Sequence, residues 1–87
     1  MRKSLMRMTL RQIQVFRAVC DQRSYSRAAE DMALTQPAVS LQIRQLEGLI
    51  GQPLFEYVGK TLYLTEAAEA LRRASGDIFQ RLENLDM

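Results

Sequence analysis

The run Thr35-Gln36-Pro37-Ala38-Val39-Ser40-Leu41-Gln42-Ile43-Arg44-Gln45-Leu46-Glu47-Gly48-Leu49-Ile50-Gly51 decides the fold. Thr35 is a strong N-cap candidate, Pro37 suits a first helical turn where a missing N–H costs nothing, and Gly51 supplies a stop. At about 100° per residue, Val39, Ile43, Leu46 and Ile50 fall within about 60° of one another. Pro37, Ser40, Leu41 and Arg44 fall on the opposite side, with Gln36 at its edge. The spacing predicts a helix over 36–50 that is anchored by one narrow apolar stripe and bare on its other side.

Upstream, Thr9 can cap a helix over 10–22 whose apolar series is Leu10, Ile13, Phe16, Val19 and Cys20. Ser24-Tyr25-Ser26 breaks it, and Ser26 can cap a short helix through Met32, with Ala28 and Ala29 small enough to admit a close neighbour. Ala33-Leu34 is a tight connection to the decisive helix. Downstream, Leu54–Tyr57 and Leu62–Leu64 alternate and are joined by Val58-Gly59-Lys60-Thr61, the pattern of a hairpin with a glycine turn. Phe16, Leu34, Val39, Ile43, Leu46, Leu54, Phe55, Leu62 and Leu64 read as core. Thr65-Glu66 opens a last helix in which Gly76 is tolerated and no stop signal precedes the end of the sequence. There Leu71, Ser75, Ile78, Leu82 and Leu85 are spaced 4-3-4-3, a heptad seam that wants a partner helix. The alternative is an amphipathic helix folding back on its own domain. The expected architecture is mainly α: a winged helix-turn-helix of three helices plus a two-stranded wing, followed by a long linker and dimerisation helix.

The 87 residues make one small domain, and 12 Lys+Arg against 10 Asp+Glu leave a net charge of +2. The charge is uneven. Residues 1–65 hold nine cations and five anions, +4, whereas 66–87 hold three and five, −2. Any footprint on a polyanion therefore belongs to the front of the chain. With no His and only Cys20, most metal sites, His-based acid–base catalysis and an intrachain disulfide are ruled out. No run of about 18 apolar residues exists and MRKSL lacks an apolar region behind its charges, so a cytoplasmic, non-membrane domain is expected.

A helix with one bare side suits nucleic acid for a dimensional reason. The major groove of B-DNA is about 12 Å wide and admits one α-helix, whose exposed face meets base edges. At this point the sequence resembles a known family. R-Q-I-Q-V-F-R-A-V (11–19), S-Y-S-R-A-A-E (24–30), T-Q-P-A-V-S-L-Q-I-R-Q-L-E (35–47), G-Q-P-L-F-E (51–56) and L-T-E-A (64–67) are similar to the N-terminal domain of LysR-type transcriptional regulators. The resemblance spans roughly Thr9 to Leu85. T-Q-P-A-V-S-L-Q-I-R further resembles the subgroup that controls carbon-fixation (Rubisco) operons.

The resemblance implies an N-terminal extension at 1–8 (or an alternative initiation region), a DNA-binding domain at 9–65 and a truncated linker helix at 66–87. It implies a homodimer paired through the linker helix on an inverted-repeat operator, and leaves open a tetramer of full-length subunits. A small-molecule effector is expected only in a C-terminal domain absent from this chain; no cofactor, metal or catalytic residue is expected in the fragment itself.

Base contacts are expected from Gln36, whose amide can pair bidentately with adenine, from Pro37, from Ser40 and from Leu41. Leu41 stands where the family frequently carries Arg or Lys, so it cannot grip guanine. Backbone or wing contacts are expected from Ser24, Ser26, Arg27, Thr35, Gln42, Arg44 and Lys60. Each has a plainer reading: capping explains Ser26, and Arg44 can pair with Glu47 at i,i+3. Lys60 keeps the charge but not the planar fork of the family's frequent wing arginine, and Tyr57 also replaces a frequent arginine. The competing function class is a protein-interaction module built on the winged fold and heptad helix. An enzyme is the weakest class, because the carboxylates are scattered on polar helix faces.

Overall fold

The computed structural model describes residues 3–86. Met1 and Arg2 of the expected extension, and Met87 at the end of the linker segment, lie outside the described residues. A short 3-10 segment, Lys3–Arg7, leads into α1 (Leu10–Gln22), α2 (Tyr25–Met32) and α3 (Gln36–Ile50). The strands β1 (Phe55–Val58) and β2 (Thr61–Leu64) and the helix α4 (Glu66–Glu83) complete the order.

Each helix starts where a hydroxyl can take up an orphan backbone N–H. At α1 the caps are reciprocal: Gln12 N–H donates to Thr9 Oγ1 at 3.1 Å and Thr9 N–H donates to Gln12 Oε1 at 3.0 Å. Thr35 Oγ1 accepts from Ala38 N–H at 3.2 Å, with Pro37 in the first turn of α3. The expectation for α2 needs correction. Ser24, not Ser26, is its N-cap, its Oγ accepting from Arg27 N–H at 3.1 Å. The choice is tertiary: helix starting at Tyr25 sets that ring edge-on to Phe55, centroids 6.0 Å apart.

Phe16, Val15 and Val19 of α1, Ala28 and Ala29 of α2, and Val39, Ile43 and Leu46 of α3 form the centre of the core. Leu54, Phe55 and Leu62 of the hairpin and Ala68 and Leu71 of α4 close it. Leu34, Ile50 and Leu64 are half-buried against it. Leu10 departs from the expected α1 series: it is exposed, at the first position of the helix. Cys20 is buried, and that burial pushes its thiol from 9.0 up to about 12.

The hairpin is longer and its turn tighter than expected. Phe55 pairs with Leu64 and Val58 with Thr61 in an antiparallel register, leaving only Gly59 and Lys60 in the turn. Gly59 has φ of 62°, the left-handed value that favours glycine at the first central position of a two-residue turn. Leu54 precedes the strand, and Thr65 locks the hairpin base. Its N–H donates to the Leu54 carbonyl at 3.0 Å and its hydroxyl to the Pro53 carbonyl at 2.7 Å, while the same oxygen caps α4 by accepting from Ala68 N–H.

The heptad seam of α4 also needs correction. Leu71 and Ser75 are buried against the chain's own helices, so neither is available to a partner. The first turns of α4 thus belong to the winged core rather than to a separate linker. Ile78 and Leu82 remain 39% and 40% exposed. Among the described residues α4 runs to Glu83, and Leu85 follows it in a turn.

Candidate nucleic-acid interface

The surface in question is the side of α3 turned away from its anchoring stripe. Val39, Ile43 and Leu46 are buried, whereas Gln36, Pro37 and Arg44 are exposed and Leu41 is 47% exposed. Neither the hairpin nor α4 covers this side. Ser40 and Gln42 are half-buried at its margins. Gln36 Nε2 donates to Ser40 Oγ at 3.3 Å, so the two polar groups one turn apart are held side by side. The Ser40 hydroxyl hydrogen and the Gln36 carbonyl oxygen stay available to an incoming base edge.

Arg44 is not paired with Glu47, because the Glu47 carboxylate has another task. It accepts from Leu54 N–H at 2.8 Å and so ties α3 to the start of the wing. Among the described residues no hydrogen bond or ion pair holds Arg44; the ion pair found there joins Arg72 to Glu69 at 2.8 Å. An unpartnered guanidinium on a bare helix side is ready for phosphate. Beside it, Tyr25 is half-buried, and burial followed by the Glu47 charge pushes its phenol up to about 12. The ring therefore stays neutral throughout the physiological range.

The remaining expected contacts lie on α2, at the start of α3 and on the wing. Ser26 and Arg27 are exposed in the first turn of α2, where the N-terminus of a helix favours anions, and Ser24 keeps its hydroxyl hydrogen while capping. Thr35 is exposed at the start of α3. Lys60 is exposed at the tip of the wing, with Tyr57 exposed two pairs back along it.

Three residues that support this geometry have no sequence-level signature. Arg17 Nη1 donates to the Ser75 carbonyl at 3.0 Å and its guanidinium sits 5.1 Å from the Phe79 ring centroid, bracing α4 on α1. Arg23 ends α1 in a left-handed conformation, φ 53°, and donates to the Leu62 carbonyl at 3.5 Å. Glu47 is the third. Only the i,i+3 spacing to Arg44 was visible, and that pointed to the wrong partner.

A recognition helix with one bare side, a short helix before it and a two-stranded wing after it define a winged helix-turn-helix domain. The family model for bacterial regulatory helix-turn-helix proteins of the lysR family matches residues 10–69, and the chain belongs to that family. It is 51% identical over 80 residues to a RuBisCO operon transcriptional regulator of Acidithiobacillus ferrooxidans, covering 92% of this chain and 26% of that protein. A RuBisCO operon transcriptional regulator of Allochromatium vinosum is 49% identical over 81 residues, 93% of this chain and 27% of that protein. The chain thus spans about a quarter of the length of the curated relatives it matches. Among solved structures, a CbnR DBD–DNA complex superposes with a TM-score of 0.83 at 26% identity, covering 91% of each chain. No helix among the described residues is long and apolar enough to cross a membrane.

Proposed function

We propose that this chain binds duplex DNA sequence-specifically, with α3 in the major groove and the wing near the minor groove, and so serves transcriptional control of a target operon. The observation that carries the reading is the bare side of α3, with Gln36 and Ser40 coupled at 3.3 Å and Arg44 unpartnered beside them. Gln36, Pro37, Ser40 and Leu41 meet base edges. Ser24, Ser26, Arg27, Thr35, Gln42, Arg44 and Lys60 meet backbone and wing-side phosphates. The names of the relatives at 51% and 49% identity favour carbon-fixation genes as the target, as does the T-Q-P-A-V-S-L-Q-I-R wording of α3. The chemistry is hydrogen bonding and charge neutralisation, so it calls for no metal, cofactor or catalytic group; a small-molecule effector belongs to the length of such regulators beyond this segment.

Two copies pair through α4, using Ile78 and Leu82, and present their α3 helices to an inverted repeat. Half-site centres then lie about 10 bp apart or at a multiple of that. Selection from a random duplex pool, followed by gel-shift titration at several salt concentrations, tests the proposal. A preferred inverted repeat is the expected result, and Gln36→Ala should cost about 1–3 kcal/mol on it and relax one base position. Equal affinity for every duplex would overturn sequence-specific binding, and no affinity for any duplex, with self-association intact, would leave the protein-interaction reading in its place.

A further inference from the structure

Three sides of α3 can be told apart once its neighbours are known. Val39, Ile43 and Leu46 face the core. Glu47 marks one flank, where it holds Leu54 N–H and the wing begins. Gln45 marks the other flank, where it accepts from Gln12 Nε2 at 3.3 Å, so the start of α1 runs beside it. The 3-10 segment Lys3–Arg7 leads directly into that start and packs against α3. The bare strip with Pro37, Leu41 and Arg44 lies between the two flanks.

The segment contributes nothing to the core, since none of its residues is buried. It is nonetheless tied down: Met8 packs against the core and its N–H donates to the Leu5 carbonyl at 3.4 Å. Its charge is unopposed. Lys3 and Arg7 are exposed, no ion pair among the described residues engages either, and the first acid in the sequence is Asp21. Arg11, the next cation, turns away and lines the cleft between α1 and α4 with Phe79 and Glu83.

An α-helix with its side chains is about 10–12 Å across and the major groove about 12 Å wide, so a seated helix has a phosphate strand along each flank. On the wing flank Lys60 supplies the cation. On the other flank α3 offers only Ala38, Gln42, Gln45 and Leu49, none of them charged. We infer that Lys3 and Arg7 form a second phosphate clamp, gripping the duplex backbone on the side of the groove opposite the wing. The ligand is the phosphodiester strand, read without regard to base sequence. This rests on the proposed DNA binding by α3.

The test uses the 87-residue chain, a duplex it has selected from a random pool, and a scrambled duplex of the same length. Affinity is measured by fluorescence anisotropy between about 50 and 200 mM salt. Replacing Lys3→Gln and Arg7→Gln together should lower the slope of log affinity against log salt by about 1.8, at about 0.9 per phosphate. Referred to 1 M salt, that slope is a loss of about 30-fold at 0.15 M, the same on both duplexes. Arg73→Gln with Arg81→Gln, two exposed cations of α4, removes the same charge elsewhere and should leave the slope unchanged. A Lys3/Arg7 variant with the parental slope, or one matched by the α4 variant, overturns the inference. Failure of the parent chain to prefer any duplex would instead overturn the proposed function.

Discussion

Arg17→Met asks whether one side chain sets the course of α4. The substitution keeps an unbranched apolar stem but removes the guanidinium that donates to the Ser75 carbonyl at 3.0 Å and lies 5.1 Å from the Phe79 centroid. A hydrogen bond from a charged donor contributes about 1.5–3 kcal/mol and a cation over an exposed ring about 0.5–1 kcal/mol. Arg17 is half-buried, so the lower ends apply and the loss is about 2 kcal/mol. Unfolding entropy of about 2.1 cal/mol/K per residue over 87 residues gives ~0.18 kcal/mol/K, which converts that loss to about 11 °C in Tm. Calorimetry reads the total, and hydrogen exchange locates it: amides from Phe79 to Glu83 should exchange faster while α3 keeps its protection. A Tm within about 3 °C of the parent, with unchanged exchange in α4, would refute the brace.

Glu47→Ala should destabilise the fold by about 1–3 kcal/mol in urea melts, because the part-buried Leu54 N–H loses its acceptor, and the wing should loosen with it. Alkali should do the same through two groups. Cys20 and Tyr25 both have folded values near 12, above their ordinary 9.0 and 10.0, so their neutral forms favour the native state. That stability is intact below pH 9 and is lost as pH rises toward 12; Cys20→Ala with Tyr25→Phe should flatten the decline, as followed by melts across that range. Ile78→Glu should shift sedimentation toward monomer and weaken binding to paired half-sites more than to single ones. Unchanged sedimentation would remove α4 from the proposed pairing.

What the sequence determined by itself was local or periodic. Thr9, Thr35 and Thr65 cap helices because a hydroxyl reaches the N–H three residues on, and Val39, Ile43 and Leu46 share a side because of helical pitch. Gly51 and Gly59 mark left-handed positions that few other residues occupy. Those rules act over a few residues, and they sufficed for the winged architecture and for the bare side of α3 with Gln36 and Arg44, Ser40 standing half-buried at its margin. Tertiary structure decided whatever depends on partners distant along the chain. Ser24 rather than Ser26 starts α2 because Tyr25 must meet Phe55. Heptad spacing puts Leu71, Ser75, Ile78 and Leu82 on one side of α4 but is silent on what covers it. Burial against the domain core takes the first two, with Arg17 reaching from α1 to the Ser75 carbonyl, and leaves the last two open. Likewise, counting Lys3 and Arg7 as charge could not place them beside α3; a hydrogen bond from Gln12 to Gln45, 33 residues apart, brings that end of the chain to the helix.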